Sequence, residues 1–165
     1  MPPVTIVPMA PEHAEAVTDC HVLCWREAHA DVLPAHLLDA LRTGRGAGRW
    51  RRVARDPLIE TRVALAASGA VLGFASAGPA RDIAAPTALE LHALYVRAAE
   101  HGTGLADALL EGVVPAGTPC ALWVLAANPR ARAFYRRHGF RDDGARGLDP
   151  FALLPTLRMV RGALA

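Results

Sequence analysis

The chain has 165 residues, 52% of them hydrophobic, and a formal net charge of +2. That length suits a single domain, 1–165, with a core large enough to fold alone. No apolar run reaches the length of a membrane span, and so small a net charge argues against a polyanionic partner.

All 18 basic residues are arginine; Lys and Gln are absent and Asn128 is the only asparagine. With many Ala, Gly and Pro, this bias points to a GC-rich, bacterial source. Without lysine there is neither a Walker-type phosphate loop nor a Schiff-base nucleophile. The N-terminal stretch lacks a basic region followed by a long apolar run, so no signal peptide is expected. Cys20, Cys24 and Cys120 are odd in number and form no disulfide framework, which fits a reduced, cytoplasmic setting.

Val4 to Val7 reads as a short strand closed by Pro8. Pro11 to about Ala30 reads as a helix with proline in its first turn. Pro34 to Leu41 reads as a second short helix, and TGRGAGRW as a glycine-broken stretch running into basic RWRRVARD. Thr61–Ala67 and Val71–Ala77 are β-like runs around SGA, a hairpin pattern. GPARDIAAPT is a loop, Leu89–Val96 a strand, Leu105–Val114 a helix and Ala121–Leu125 a short apolar strand. Ala131–His138 is helical and stops at Gly139, a C-terminal cap signal; Phe140 onward and Thr156–Val160 are closing strands. The hairpins of the first half imply antiparallel pairing. The strand–helix–strand order of the second half implies a right-handed parallel crossover. The expected fold is a mixed-sheet α/β domain.

The stretch HGTGLADALL, His101 to Leu110, places two glycines and an alanine where an apolar helix begins. A helix start presents unpaired N–H groups at its positive end, and glycine lets an anion approach them closely. A dinucleotide fingerprint would need a third glycine where Asp107 stands, and an acidic residue near the end of the next strand, where AAN is found. A turn that merely permits close helix–strand packing is the plainer alternative.

HGTGLA resembles the coenzyme A pyrophosphate signature Q/R-x-x-G-x-G/A of the GNAT superfamily of acetyl-CoA-dependent N-acetyltransferases. Gly104 and Ala106 fit its last two small positions, and His101 stands where Gln or Arg is usual. NPRARAFYRRHGF resembles the family's second segment, in which Asn opens a helix ending F-Y-x-x-x-G-F; Asn128, Phe134, Tyr135, Gly139 and Phe140 fill those positions. LHALYV resembles the central cofactor strand and TLRMVR the last strand. The likeness covers Thr61 to Arg161 well and the first 60 residues loosely.

The resemblance implies a mostly antiparallel sheet splayed between its fourth and fifth strands, with the pantetheine arm in the gap. It implies that the backbone of Leu94, Tyr95 and Val96 pairs with pantetheine amides. It assigns the diphosphate to the backbone of His101, Gly102, Thr103, Gly104, Leu105, Ala106 and Asp107, and gives Asn128 and Tyr135 to the cofactor as well. Asp107 beside that anion is an oddity, and its side chain is expected to face solvent or cap the helix. The implied reaction is direct transfer of acetyl from acetyl-CoA to an amine, in a ternary complex and without metal. Such a reaction needs a base for the amine, a donor for the thioester carbonyl and a proton for the departing thiolate.

Tyr135 matches the family's acid; a phenol, with an ordinary pKa of about 10, can protonate a thiolate. Glu90 is the candidate base, eleven positions before His101, a spacing at which some members carry a catalytic glutamate. A solvated carboxylate or a structural ion pair is its bland alternative. His92, two residues on along the same strand face, is a second candidate. Trp25, His29 and Asp31 fall where acceptor pockets of the family are lined, although Trp25 also suits a core.

Cys20, His21 and Cys24 lack zinc spacing and read as core cysteines with a surface histidine. Arg42, Arg45, Arg49, Arg51, Arg52 and Arg55 form a basic stretch open to nucleic acid, to an acidic acceptor or to solvent; Trp50 is its only aromatic residue, which disfavours nucleic acid. Arg130, Arg132, Arg136 and Arg137 flank the cofactor helix and suit the adenosine 3′-phosphate. A transferase of another acyl-CoA and a non-catalytic acyl-CoA-binding module stay open. So does a homodimer, common in the family.

Overall fold

The computed structural model describes residues 3–31, 33–40 and 45–162. The strands are β1 (Thr5–Pro8), β2 (Glu60–Leu65), β3 (Val71–Pro79), β4 (Leu89–Val96), β5 (Cys120–Leu125), β6 (Arg141–Leu148) and β7 (Pro155–Arg161). The helices are α1 (Ala14–His29), α2 (Ala35–Ala40), α3 (Arg45–Arg55), α4 (Leu105–Val113) and α5 (Pro129–Arg137). Two compact units divide the chain: Met1–Ser76 with Ala93–Val113, and Ala77–His92 with Val114–Ala165. No helix among the described residues is long and apolar enough to cross a membrane.

In the first unit, β1 pairs antiparallel with β2, Thr5 opposite Leu65 through Pro8 opposite Arg62. The β2–β3 hairpin turns through Ser68-Gly69-Ala70, with Gly69 at a φ of 84° and Ala66 N–H donating to Ala70 O. Helix α1 follows a 3₁₀ turn at Pro11–His13 and buries Ala14, Val17, Cys20 and Cys24 along one stripe at helical spacing. These residues join Trp50, Val63, Val71 and Phe74 in the core, with Ala93 and Tyr95 packed against it.

The basic segment differs from expectation. Gly46 and Gly48 lie inside one continuous helix, α3. A Cβ at Gly46 would stand 2.6 Å from Thr18 Cγ2 on α1, so this glycine lets two helices meet. Packing of Trp50 into the core outweighs the roughly 1 kcal/mol that each glycine costs a helix. Leu41 and Arg42 lie outside the described residues.

Gly73 has a comparable role within the sheet. A Cβ there would lie 2.8 Å from Tyr95 O, 3.1 Å from Val96 Cγ2 and 3.2 Å from Leu109 Cδ1. A neighbouring bond, Arg97 N–H to Leu72 O at 2.9 Å, ties the end of β4 to β3. Gly73→Ala is expected to destabilise the protein by about 2–3 kcal/mol, because a backbone carbonyl cannot yield as a flexible side chain can. A chemical denaturation midpoint for the purified variant checks this.

In the second unit, β5 is the central strand, with Cys120, Ala121, Leu122 and Val124 buried. It pairs antiparallel with β7 from Cys120 opposite Arg161 to Leu125 opposite Thr156. Strand β6 pairs antiparallel with β7, with an irregularity between Asp142 and Arg146. The parallel β4–β5 register covers only Glu90 and Leu91 opposite Ala121 and Leu122, as expected of a sheet splayed between these strands. Helix α5 begins at Asn128, whose Oδ1 accepts the Ala131 N–H at 3.0 Å. It ends before Gly139, whose φ of 85° suits only glycine. Strands β3 and β4 contribute to both units, and the seven-stranded order is β1-β2-β3-β4-β5-β7-β6. The mixed α/β class expected from the sequence is the class observed.

Candidate functional site

In the first unit, β4 leads through a 3₁₀ turn at Ala98–Glu100 into the glycine turn and α4. Gly102 and Gly104 have φ values of 80° and 87°, left-handed conformations that other residues adopt only at a cost. A Cβ on either would meet no atom within 4 Å. Their small size therefore serves no internal packing. Glycine answers the left-handed backbone there, and the space a side chain would take beside the turn stays open. Gly102, Gly104 and Ala106 N–H have no backbone acceptor among the described residues, as the first turn of a helix requires. Thr103 is exposed, its Oγ1 donating to Glu100 O at 2.8 Å; Leu105 is buried, and Asp107 is exposed in the first turn of α4. His101 departs from an anion-facing position: its Nε2–H donates to Val96 O at 3.1 Å and braces the end of β4. Leu94, Tyr95 and Val96 are half-buried.

Two residues that the sequence did not single out hold this strand end. Glu27 on α1 accepts from Arg97 Nε at 2.8 Å and from Ala98 N–H at 2.7 Å. Desolvation works to raise the Glu27 pKa, but these hydrogen bonds and the Arg97 charge outweigh it and hold the carboxyl below its ordinary value. The same pairing raises Arg97.

His21 is not the surface histidine expected. Its ring lies 4.4 Å from Tyr95, 5.9 Å from Phe74 and 6.2 Å from Trp50, and its Nε2 accepts Trp25 Nε1–H at 2.9 Å. Burial, with help from the Arg49 charge, lowers its pKa to about 4. Trp25 itself is buried, with His29 4.9 Å away by ring centroids. Cys20 and Cys24 are buried free thiols with sulfurs 4.0 Å apart; that contact and burial push Cys24 upward. No cluster of three or more metal-ligating side chains occurs among the described residues.

The depressed histidine makes stability depend on pH. An unfolded imidazole protonates near pH 6.5, whereas folded His21 stays neutral to about pH 4. Between those values the unfolded chain binds more protons, so stability falls as the pH is lowered through this window. The loss is expected to be on the order of 2–3 kcal/mol. His21→Gln, which still offers Trp25 an acceptor, should lose less over the same interval in urea unfolding at pH 7, 5 and 4.

In the second unit, Glu90 is buried and bound by Arg81. Its Oε1 accepts from Nε and Nη2 at 2.9 and 2.6 Å, and its Oε2 accepts the Arg81 N–H at 2.9 Å. The candidate base is thus the anchor of the loop before β4, the ion-pair alternative considered from sequence. His92 is half-buried with Nε2 3.0 Å from Pro79 O. A carbonyl only accepts, so Nε2 carries the proton and Nδ1 the lone pair in the neutral ring. Tyr135 is buried on α5, 5.3 Å from Phe134 and 5.8 Å from Phe140 by ring centroids. Asn128 spends its carbonyl on the helix cap and keeps its amide N–H groups for another partner. Arg132 Nη1 donates to Ala126 O, while its Nε is buried without a partner among the described residues. Arg130, Arg136 and Arg137 are exposed.

The family model for the acetyltransferase (GNAT) domain matches residues 59–142, from the β2 edge through the glycine turn and α5 to the start of β6. The chain belongs to the GNAT family. Solved structures agree on the fold. The PaiA N-acetyltransferase of Thermoplasma acidophilum, solved with coenzyme A, has a TM-score of 0.73 at 17% identity, over 96% of this chain and 98% of its own. An acetyltransferase from Thermus thermophilus has a TM-score of 0.62 at 20% identity, over 96% of each chain. A GCN5-related N-acetyltransferase from Rhodopseudomonas palustris has 0.65 at 18%, over 99% of this chain and 96% of its own. No curated protein matches. The GNAT family is one of acyltransferases, and the glycine turn and the capped α5 helix both lie within the matched region.

Proposed function

We propose that this protein transfers the acetyl group of acetyl-CoA to a primary amine of a small molecule or a protein, by direct attack in a ternary complex. The observation that carries the reading is the glycine turn. Two left-handed glycines just before α4 would each project a Cβ into open space, and the N–H groups of Gly102, Gly104 and Ala106 have no backbone acceptor among the described residues. Those residues fit a diphosphate, and the PaiA structure contains coenzyme A.

When bound, acetyl-CoA supplies a thioester carbonyl to the attacking amine. The backbone of Leu94–Val96 holds the pantetheine arm, with an N–H at the Tyr95–Val96 end directed at the carbonyl oxygen. His92, the second candidate base, takes the proton of the ammonium, while both oxygens of Glu90 already accept hydrogen bonds from Arg81. The N–C bond forms as the C–S bond breaks, Tyr135 Oη gives its proton to the thiolate, and the second proton that the nitrogen sheds as it becomes an amide passes to solvent, from which the phenolate is reprotonated. Glu90 acts indirectly, by fixing Arg81 and the start of β4.

Calorimetric titration with acetyl-CoA, with 3′-dephospho-CoA and NAD as controls, tests the cradle. Saturable micromolar binding without a response to NAD, followed by amine-dependent thiol release, is the expected result. Binding without release from any amine would favour a non-catalytic acyl-CoA module; no binding to a folded sample would return the glycines to a turn.

A further inference from the structure

The acetyl-transfer reading leaves unused the basic face of α3 and the histidine beneath it, both in the first unit. Resting on that reading, we infer that His21 and Arg49 form the recognition end of the acceptor site, and that the acceptor is an amine bearing a carboxylate.

The imidazole is a fixed hydrogen-bond donor. An indole N–H only donates, so the Trp25 bond to Nε2 places the proton of neutral His21 on Nδ1. Around it stand the rings of Trp25, Trp50, Phe74 and Tyr95, three of them buried, which hold the imidazole plane. His21 itself is half-buried, and its Nδ1–H has no acceptor among the described residues. That N–H is not one of the buried polar atoms left without a partner, so it is open to solvent and to a ligand that replaces solvent.

Arg49 supplies the charge. Its guanidinium lies over the Trp50 ring, 5.6 Å from the centroid, and that ring meets His21 edge-on at 6.2 Å. On the same helix Arg51 pairs with Glu15, whereas Arg52 and Arg55 have no ion pair among the described residues; elsewhere in the unit Arg26 pairs with Asp39 and Arg97 with Glu27. Arg49 has no carboxylate among the described residues. A permanent cation and a neutral N–H donor on an aromatic floor select a small anion and repel a second ammonium. The Tyr95 ring, 4.4 Å from His21 by ring centroids, belongs to the strand end assigned to the thioester.

The test is thiol release at saturating acetyl-CoA from matched amines: alanine, β-alanine and glutamate, their amides, and putrescine. Wild type is expected to favour acids over amides in kcat/KM by about 10-fold or more. Arg49→Ala should abolish that ratio with acetyl-CoA affinity unchanged, and Arg49→Lys should partly restore it. Equal use of acids and amides, preference for putrescine, or an unaltered ratio in Arg49→Ala would overturn the inference. If acetyl-CoA binds but no amine turns over, tryptophan fluorescence is titrated with each acid in its presence. Saturation by acids alone supports the recognition site, and none sinks it while the cofactor reading stands. Failure to bind acetyl-CoA sinks the transfer reading itself.

Discussion

Replacing Gly104 with valine is expected to weaken acetyl-CoA binding about 100-fold, close to 3 kcal/mol. Two effects add. The backbone φ of 87° is strained for any L-residue and more so for a β-branched one. The new side chain would also project into the open space beside the turn, where the proposal puts the diphosphate. Either the loop abandons its conformation and the N–H groups scatter, or it keeps it and the methyl groups stand where the diphosphate belongs. Gly117 provides the control. It has a φ of 77°, also faces open space, and lies in the turn before β5. Gly117→Val should lose stability to a similar degree without losing affinity. Calorimetry on both variants, with thermal melts, separates strain from obstruction. Equal affinities in Gly104→Val and wild type would remove the diphosphate from this turn.

What could be read from sequence follows the range of the forces involved. The order of strands and helices, the Asn128 cap and the Gly139 stop depend on neighbours a few residues away, and they appear where local pattern placed them. The glycines of α3 misled because glycine reads as a breaker until its contact is known; the contact, Thr18, lies on another helix. His21 looked exposed because one helix face cannot report Phe74 and Tyr95, which arrive from β3 and β4. Glu90 was legible as a functional residue type but not as the partner of Arg81, since a Pro- and Gly-rich loop leaves side-chain direction undetermined. Glu27 and Arg97 stand 70 positions apart and gave no local signal. Gly73 did give one: glycine inside an apolar strand marks close approach of backbone, here of Tyr95 O.

Tyr135→Phe is expected to lower kcat about 10²- to 10³-fold while acetyl-CoA affinity stays within about twofold. The substitution is conservative in packing: the ring stays between Phe134 and Phe140 on a helix whose two ends are fixed by Asn128 and Gly139. Only the hydroxyl is lost, and with it the proposed proton for the departing thiolate. The deficit must then depend on how much the thiolate needs that proton. An acetyl thioester of an acidic aryl thiol leaves readily as the anion, so the variant should lose much less with it than with acetyl-CoA. A residue with only a packing role would lower both rates alike, or neither. A deficit that ignores the leaving group would show that solvent protonates the thiolate and that Tyr135 serves the core of α5.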